Sequence, residues 1–354
     1  MSADDLERRY RRLLAVYPWE HRRAYEDEML AVLLAGARPG QRRPSAGDVR
    51  DLVGAGLRAR LRVGARGFTE PAWADAAAVT GLVAAVVLLA LVAADVLTQV
   101  VPDPLRGPGA WPGPSLTDWL RVAGWSAVSG AALAGLRWAG AGLAWAAVAA
   151  WALLVAPQST GNPSYVVDTM PQFLLAVVAA AALTVPVRRP ARAVLGVRRV
   201  LPLLLAPAVA VALVTVNRAT RPGLADQAGT YYVQYGLEAS SELVLLLYLA
   251  GFVLAGAAVL VTLATVAAPV RRRIIVMFLP VAALAVAIDS TLSGWAYSTV
   301  QMGHAIPLVP AQWAMLVLLP PATFLAGVLV VRRREETLRM VALGRAADRE
   351  QPTA

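Results

Sequence analysis

The sequence predicts an all-α fold: a polytopic transmembrane helical bundle of about eight spans, with a small N-terminal cytoplasmic helical domain. Three observations carry that expectation. The 354-residue chain is 58% apolar and only 16% charged, against roughly 25% charged in a soluble domain. Its apolar residues gather in long runs, as membrane spans require. Its basic residues are all arginine, and they cluster at the ends of those runs. The reading divides the chain into a prefix domain at 1–70, a transmembrane domain at 71–334 and a cytoplasmic tail at 335–354.

The front of the chain is charged and periodic. From Leu6, apolar Tyr10, Leu13, Leu14 and Tyr17 recur at helical spacing, and Pro18 ends the run. A second helix is expected from about Glu20 to Leu34, with Ala24, Tyr25, Met29, Val32 and Leu33 on one side. Gly36, Pro39, Gly40 and Pro44 mark a loop. Ser45 and Asp48 then resemble a capping box, with Asp in place of the usual Glu or Gln. The third helix carries Val49, Leu52, Val53, Leu57 and Leu61 on one face. Arg58, Arg60, Arg62 and Arg66 lead into the first span, where they fix topology or rest on anionic lipid. No cleavable signal peptide is read before that span, so it is expected to act as the insertion signal.

Residues 6–34 resemble the short prefix domain found in front of some bacterial permeases and of many actinobacterial multi-pass membrane proteins. Tyr10, Leu13, Leu14, Tyr17-Pro18, Arg22 and Glu28-Met29 carry the likeness. It implies an interaction module whose cytoplasmic protein partner is an ATPase or a regulator. Tyr10, Tyr17, Trp19, Tyr25 and Met29 are the partner-binding candidates.

Eight spans are expected at about 76–97, 120–136, 138–156, 173–187, 200–216, 243–268, 274–288 and 313–331. Residues 120–156 admit two readings: two spans turned tightly at Arg137, or one span with a re-entrant piece. With the amino terminus inside, eight spans place three arginine clusters in the cytoplasm: 188–199, 271–273 and 332–334. The opposite loops hold few arginines, and they hold Trp111, Trp119, Trp125, Tyr165, Tyr231, Tyr232, Tyr235, Trp295, Tyr297 and Trp313 as an interfacial belt. Localisation follows: a cytoplasmic (inner) membrane, crossed many times, with both termini cytoplasmic. Pro320-Pro321 is expected to kink or unwind the last span. Glu335-Glu336 reads as a solvated face.

Composition narrows the chemistry. There is no cysteine, so disulfides, thiolate catalysis and iron–sulfur ligation are excluded. His21 and His304 are the only imidazoles, too few for a multi-histidine metal site in one chain. The sequence has no His-Glu-x-x-His, Gly-x-Ser-x-Gly or Walker motif, so it assigns no catalytic residue, cofactor or metal. The net charge of +10 follows span ends, which points to the lipid bilayer and topology, not to nucleic acid.

Polar residues inside membrane segments are costly and tend to be functional. Asp95, Glu242 and Asp289 lie toward the outer ends of their spans and are the ligand-binding candidates, with Arg218, Arg221 and Arg121 as counter-charges and His304 as a proton acceptor. The expected function is a transporter- or permease-like component or a membrane sensor. Its N-terminal helices would contact a partner, and its outer polar pocket would bind a ligand or ion. Two alternatives stand beside it. One is a membrane-embedded lipid or polyprenyl transferase using those carboxylates. The other is a scaffold sequestering a regulator. Gly130, Gly135, Gly140, Gly251 and Gly256 permit close helix contacts within one chain or in a homo-oligomer.

Overall fold

The computed structural model describes residues 3–17, 19–38, 41, 43–56, 71–101, 113–159, 161, 163–186, 189–220, 231–233, 237–239, 241–302 and 306–350. The chain divides into two compact units, Met1–Glu70 and Pro71–Ala354.

The first unit has α1 (Ala3–Leu14), α2 (Trp19–Ala35) and α3 (46–56). Its core is Leu6, Tyr10, Leu14, Tyr17, Leu30 and Leu52, so the periodic apolar positions of all three helices meet. The capping box forms with its short acid. Asp48 N–H donates to Ser45 Oγ at 3.1 Å, and Ser45 N–H donates back to Asp48 Oδ2 at 3.1 Å. Asp48 also accepts from Tyr10 Oη at 2.9 Å, which ties α3 to α1. The four arginines expected to lead into the first span lie outside the described residues.

In the second unit, α4 (Pro71–Val100) is the hub. Two thirds of its most apolar stretch is buried, 67% against 11–44% in the other long apolar helices. Its alanines explain this position. Ala76, Ala77, Ala84 and Ala85 are at 0% exposure, and small side chains let neighbouring backbones approach from several directions. Around α4 stand α5 (Leu116–Ala134), α7 (Pro163–Thr184), α8 (Ala191–Leu195), α9 (Val197–Ala219) and α11 (Ala268–Met302). Farther out are α6 (Arg137–Leu154), packed on α5 and α7; α10 (Glu242–Ala264), packed on α9; and α12 (Pro310–Glu350), packed on α11. A ribbon of β1 (Tyr231–Val233) and β2 (Leu237–Ala239) pairs antiparallel between α9 and α10.

Seven of the described helices are long and apolar enough to cross a membrane: α4, α6, α7, α9, α10, α11 and α12. The remaining expected span folds as α5, which has 19 residues and carries Asp118 and Arg121 in its first turns. Those charges make it less apolar than the other seven.

Residues 120–156 fold as two helices, α5 and α6, turned tightly before Arg137. Gly135, at φ +83°, ends α5 in a left-handed conformation that costs glycine little. Leu136 N–H reaches the Ala131 carbonyl at 2.8 Å and Gly135 N–H the Ala132 carbonyl at 3.3 Å, the paired bonds of a Schellman turn. The helix at Pro320-Pro321 is not unwound: α12 is continuous through both prolines. Thr323 Oγ1 donates back to the Leu319 and Pro320 carbonyls there, at 2.9 and 3.0 Å. Among the described side chains the aromatic belt is only partly a surface feature; those of Trp111, Tyr231, Tyr232, Tyr235 and Tyr297 lie outside the described residues. Trp119 and Tyr165 are exposed, but Trp125 is buried in the core, and Trp295 and Trp313 pack on Leu292 and Leu316.

The arginine clusters meet at one end of this unit. Arg199 donates to Thr265 Oγ1 at 3.0 Å and to the Thr265 carbonyl at 3.1 Å, and Arg271 donates to the Ala264 carbonyl. They satisfy carbonyls at the C-terminus of α10, where cations also complement the helix dipole. Arg273 of α11 lies beside Trp73 of α4 and Glu335 of α12.

Candidate functional site

The polar positions expected on the outer side divide among several helices. Asp95 stands one turn before the end of α4 and is exposed. The charged groups that act on it are Arg121 and Asp118 of α5. Arg121 Nη1 is itself 3.8 Å from Asp118 Oδ1. Asp118 closes the Ser115 capping box, its N–H donating to Ser115 Oγ at 3.3 Å while Ser115 N–H donates to its Oδ2 at 3.0 Å. Arg121 thus acts on Asp95 through space while its ion pair is with Asp118, a residue that sequence reasoning passed over. The signal for Asp118 was a Ser-x-x-Asp box before an apolar run.

Glu242 and Arg218 take helix-end positions. Glu242 opens α10 directly after its N-cap, Ser241, whose Oγ accepts from Val244 N–H at 3.3 Å. Arg218 lies in the last turn of α9. An acid in a first turn and a base in a last turn each complement the helix dipole. Thr220 Oγ1 and Tyr248 Oη are 2.9 Å apart and join the C-terminal end of α9 to the N-terminal part of α10. Asp289 is exposed on α11. Among the described residues, no three Asp, Glu or His side chains stand close enough to hold one metal ion. Asp95, Glu242 and Asp289 thus do not form one acidic centre. Arg221 and His304 lie outside the described residues.

The partner-binding candidates of the first unit separate by burial. Tyr10 and Tyr17 are in its core, at 1% and 7% exposure, so packing claims them instead of a partner. Tyr25 is 50% exposed and Val32 is 68% exposed, with Met29 half-buried between them. Positions 25, 29 and 32 share one face of α2, because residues three and four apart are neighbours on a helix. The side chain of Trp19 lies outside the described residues.

Glu335 departs from the solvated reading. Its Oε1 is 2.7 Å from Arg273 Nη2, a guanidinium whose side chain is only 4% exposed. Arg273 Cζ lies 5.3 Å from the Trp73 ring centroid, within cation–π range, and its Nη1 donates to the Pro269 carbonyl at 3.3 Å. No signal local to Glu335 distinguishes it from Glu336, because its partner is on another helix.

No protein-family model, curated protein or solved structure matches this chain.

Proposed function

We propose that this integral membrane protein is a non-enzymatic component of permease or sensor type, and that it works by docking a cytoplasmic ATPase or regulator on its N-terminal helical unit. The carrying observation is the Tyr25–Met29–Val32 face of α2. A unit of this size has few apolar side chains to spare, and it buries six in its own core while leaving two of these three exposed. An apolar stripe at helical spacing is the usual form of a helix-docking face. The resemblance of residues 6–34 to permease prefix domains supports the same reading.

The accompanying topology is eight crossings of the inner membrane, with the arginine-rich end and both termini in the cytoplasm. Two arguments support α5 as the eighth crossing. It runs from the Asp95 end of α4 to the turn where a Cβ on Gly135 would stand 3.2 Å from Pro190 Cβ, at the arginine-rich end. Its 19 residues extend about 28 Å, close to the roughly 30 Å of bilayer hydrocarbon. The positive-inside rule then assigns the arginine-rich end to the cytoplasm.

The test uses the full chain with a photoreactive phenylalanine analogue in place of Tyr25, illuminated in native membranes. The reading predicts one dominant protein adduct, lost on Val32→Asp. An absent adduct, or one indifferent to Val32→Asp, sinks it.

A further inference from the structure

Between α4, α9 and α10 runs an apolar groove of about 440 Å³. Ala90 and Ala94 form its α4 wall, Pro207 and Ala210 its α9 wall, and Ala255 and Gly256 its α10 wall. It exists because α10 leans on α9 and only lightly on α11, leaving a wedge toward α4 that small side chains do not fill. Its volume lies in the roughly 300–1,000 Å³ range of small-molecule sites. All three helices are apolar enough to span a membrane, so the medium beside the groove is lipid hydrocarbon.

The medium beside the groove and the charge at one end decide between occupants. The α9 wall from Ala206 to Val214 is about 12 Å long at 1.5 Å per residue, so a polymethylene chain can lie along it. The groove also has a polar end. On α9 the Pro207, Val211, Val214 stripe reaches Arg218 one turn later, and on α4 Leu91 is followed one turn later by Asp95. A guanidinium has five N–H donors, so Arg218 can take a phosphate alongside its existing contacts.

We infer that the groove holds an acyl chain of a bilayer phospholipid with an amine-bearing headgroup, with Arg218 facing the phosphate and Asp95 the ammonium. The match is of apolar surface along the chain and of charge at the outer end.

The experiment places the full-length protein in phosphatidylethanolamine vesicles. These contain a trace of the same lipid with a diazirine on its acyl chain. After illumination, labelled peptides are mapped by mass spectrometry. Label is expected to concentrate on the groove walls and to exceed that on the exposed α12 face at Leu325 and Leu329. A Cβ added at Gly256 meets no atom within 4 Å, so Gly256→Phe fills the groove without displacing protein. It should cut groove labelling at least about tenfold and leave α12 labelling unchanged. Ala210→Phe, from the opposite wall, should do the same. Even labelling of groove and α12 face, or groove labelling that survives both substitutions in folded protein, overturns the proposal. So does efficient thiol cross-linking between copies through Gly256→Cys, the sole thiol of that variant, because a second copy would then occupy the groove. A diacylglycerol probe lacking the headgroup should label the groove several-fold less. Equal labelling refutes the assignment of Arg218 and Asp95.

Discussion

Glu335 Oε1 of α12 lies 2.7 Å from Arg273 Nη2 of α11, and the arginine side chain is 4% exposed. A buried guanidinium without a counter-charge is expensive, whereas the pair as a whole is close to neutral against an apolar replacement. Glu335→Ala should therefore cost about 2–4 kcal/mol, because it strands Arg273 beside Trp73. Glu336→Ala, at an exposed neighbour, should stay within about 0.5 kcal/mol. Thermal unfolding in detergent compares the two. The double variant Arg273→Met/Glu335→Leu should recover most of the loss, and equal effects of the two single changes would refute the pairing.

Close helix contact makes a second prediction. A Cβ on Gly81 of α4 would stand 2.9 Å from Leu183 Cδ2 and Cγ of α7, and Leu183 is itself buried. Gly81→Ala should cost about 1–3 kcal/mol through overpacking. Gly130→Ala on α5, whose Cβ meets nothing within 4 Å, should be neutral or mildly stabilising. Unfolding of the two variants side by side reads the difference. Leu183→Ala in the Gly81→Ala background should return part of the stability.

The Tyr10–Asp48 bond makes the first unit sensitive to pH at both extremes. Hydrogen bonds from Ser45 and Tyr10 hold the Asp48 carboxyl below the usual carboxylate range. Burial, with Asp48 beside it, pushes the Tyr10 phenol up. A depressed carboxyl contributes stability that is full above its unfolded value of about 3.9 and lost as pH falls through the folded value. A raised phenol contributes stability that is full below its unfolded value of about 10 and lost as pH rises through the folded value. Proteolysis of residues 1–70 in the intact protein should be flat across neutral pH and accelerate toward both ends. Asp48→Asn should remove the acid limb. Tyr10→Ala should open the unit at every pH by about 3–5 kcal/mol, as removal of a buried aromatic does.

Much of this fold was legible because membrane spans announce themselves locally. Runs such as 76–97 and 243–268 need no partner to be recognised, and the Ser45–Asp48 box is a four-residue signal. What stayed hidden depended on residues far apart in sequence. An amphipathic face looks the same whether it meets its own core or another protein. Tyr10 and Tyr17 therefore read as partner-facing, although they pack on Leu30 and Leu52. Glu335 looked solvated because Arg273 is more than sixty residues away. Asp95 could be matched to Arg121 by depth alone, but the dispersal of Glu242 and Asp289 required knowing which helices surround α4.

An eighth crossing by α5 would set the arginine-rich end and both termini in the cytoplasm and make the α2 face available to a cytoplasmic partner. The natural chain has no cysteine, so a single introduced thiol reports its own side of the membrane. Gly113→Cys before α5, Leu136→Cys in the α5–α6 turn and Thr353→Cys near the carboxyl terminus would each be treated with an impermeant maleimide in intact and in permeabilised cells. Gly113→Cys should react in intact cells, and the other two only after permeabilisation. Labelling of Leu136→Cys or Thr353→Cys in intact cells would contradict the account.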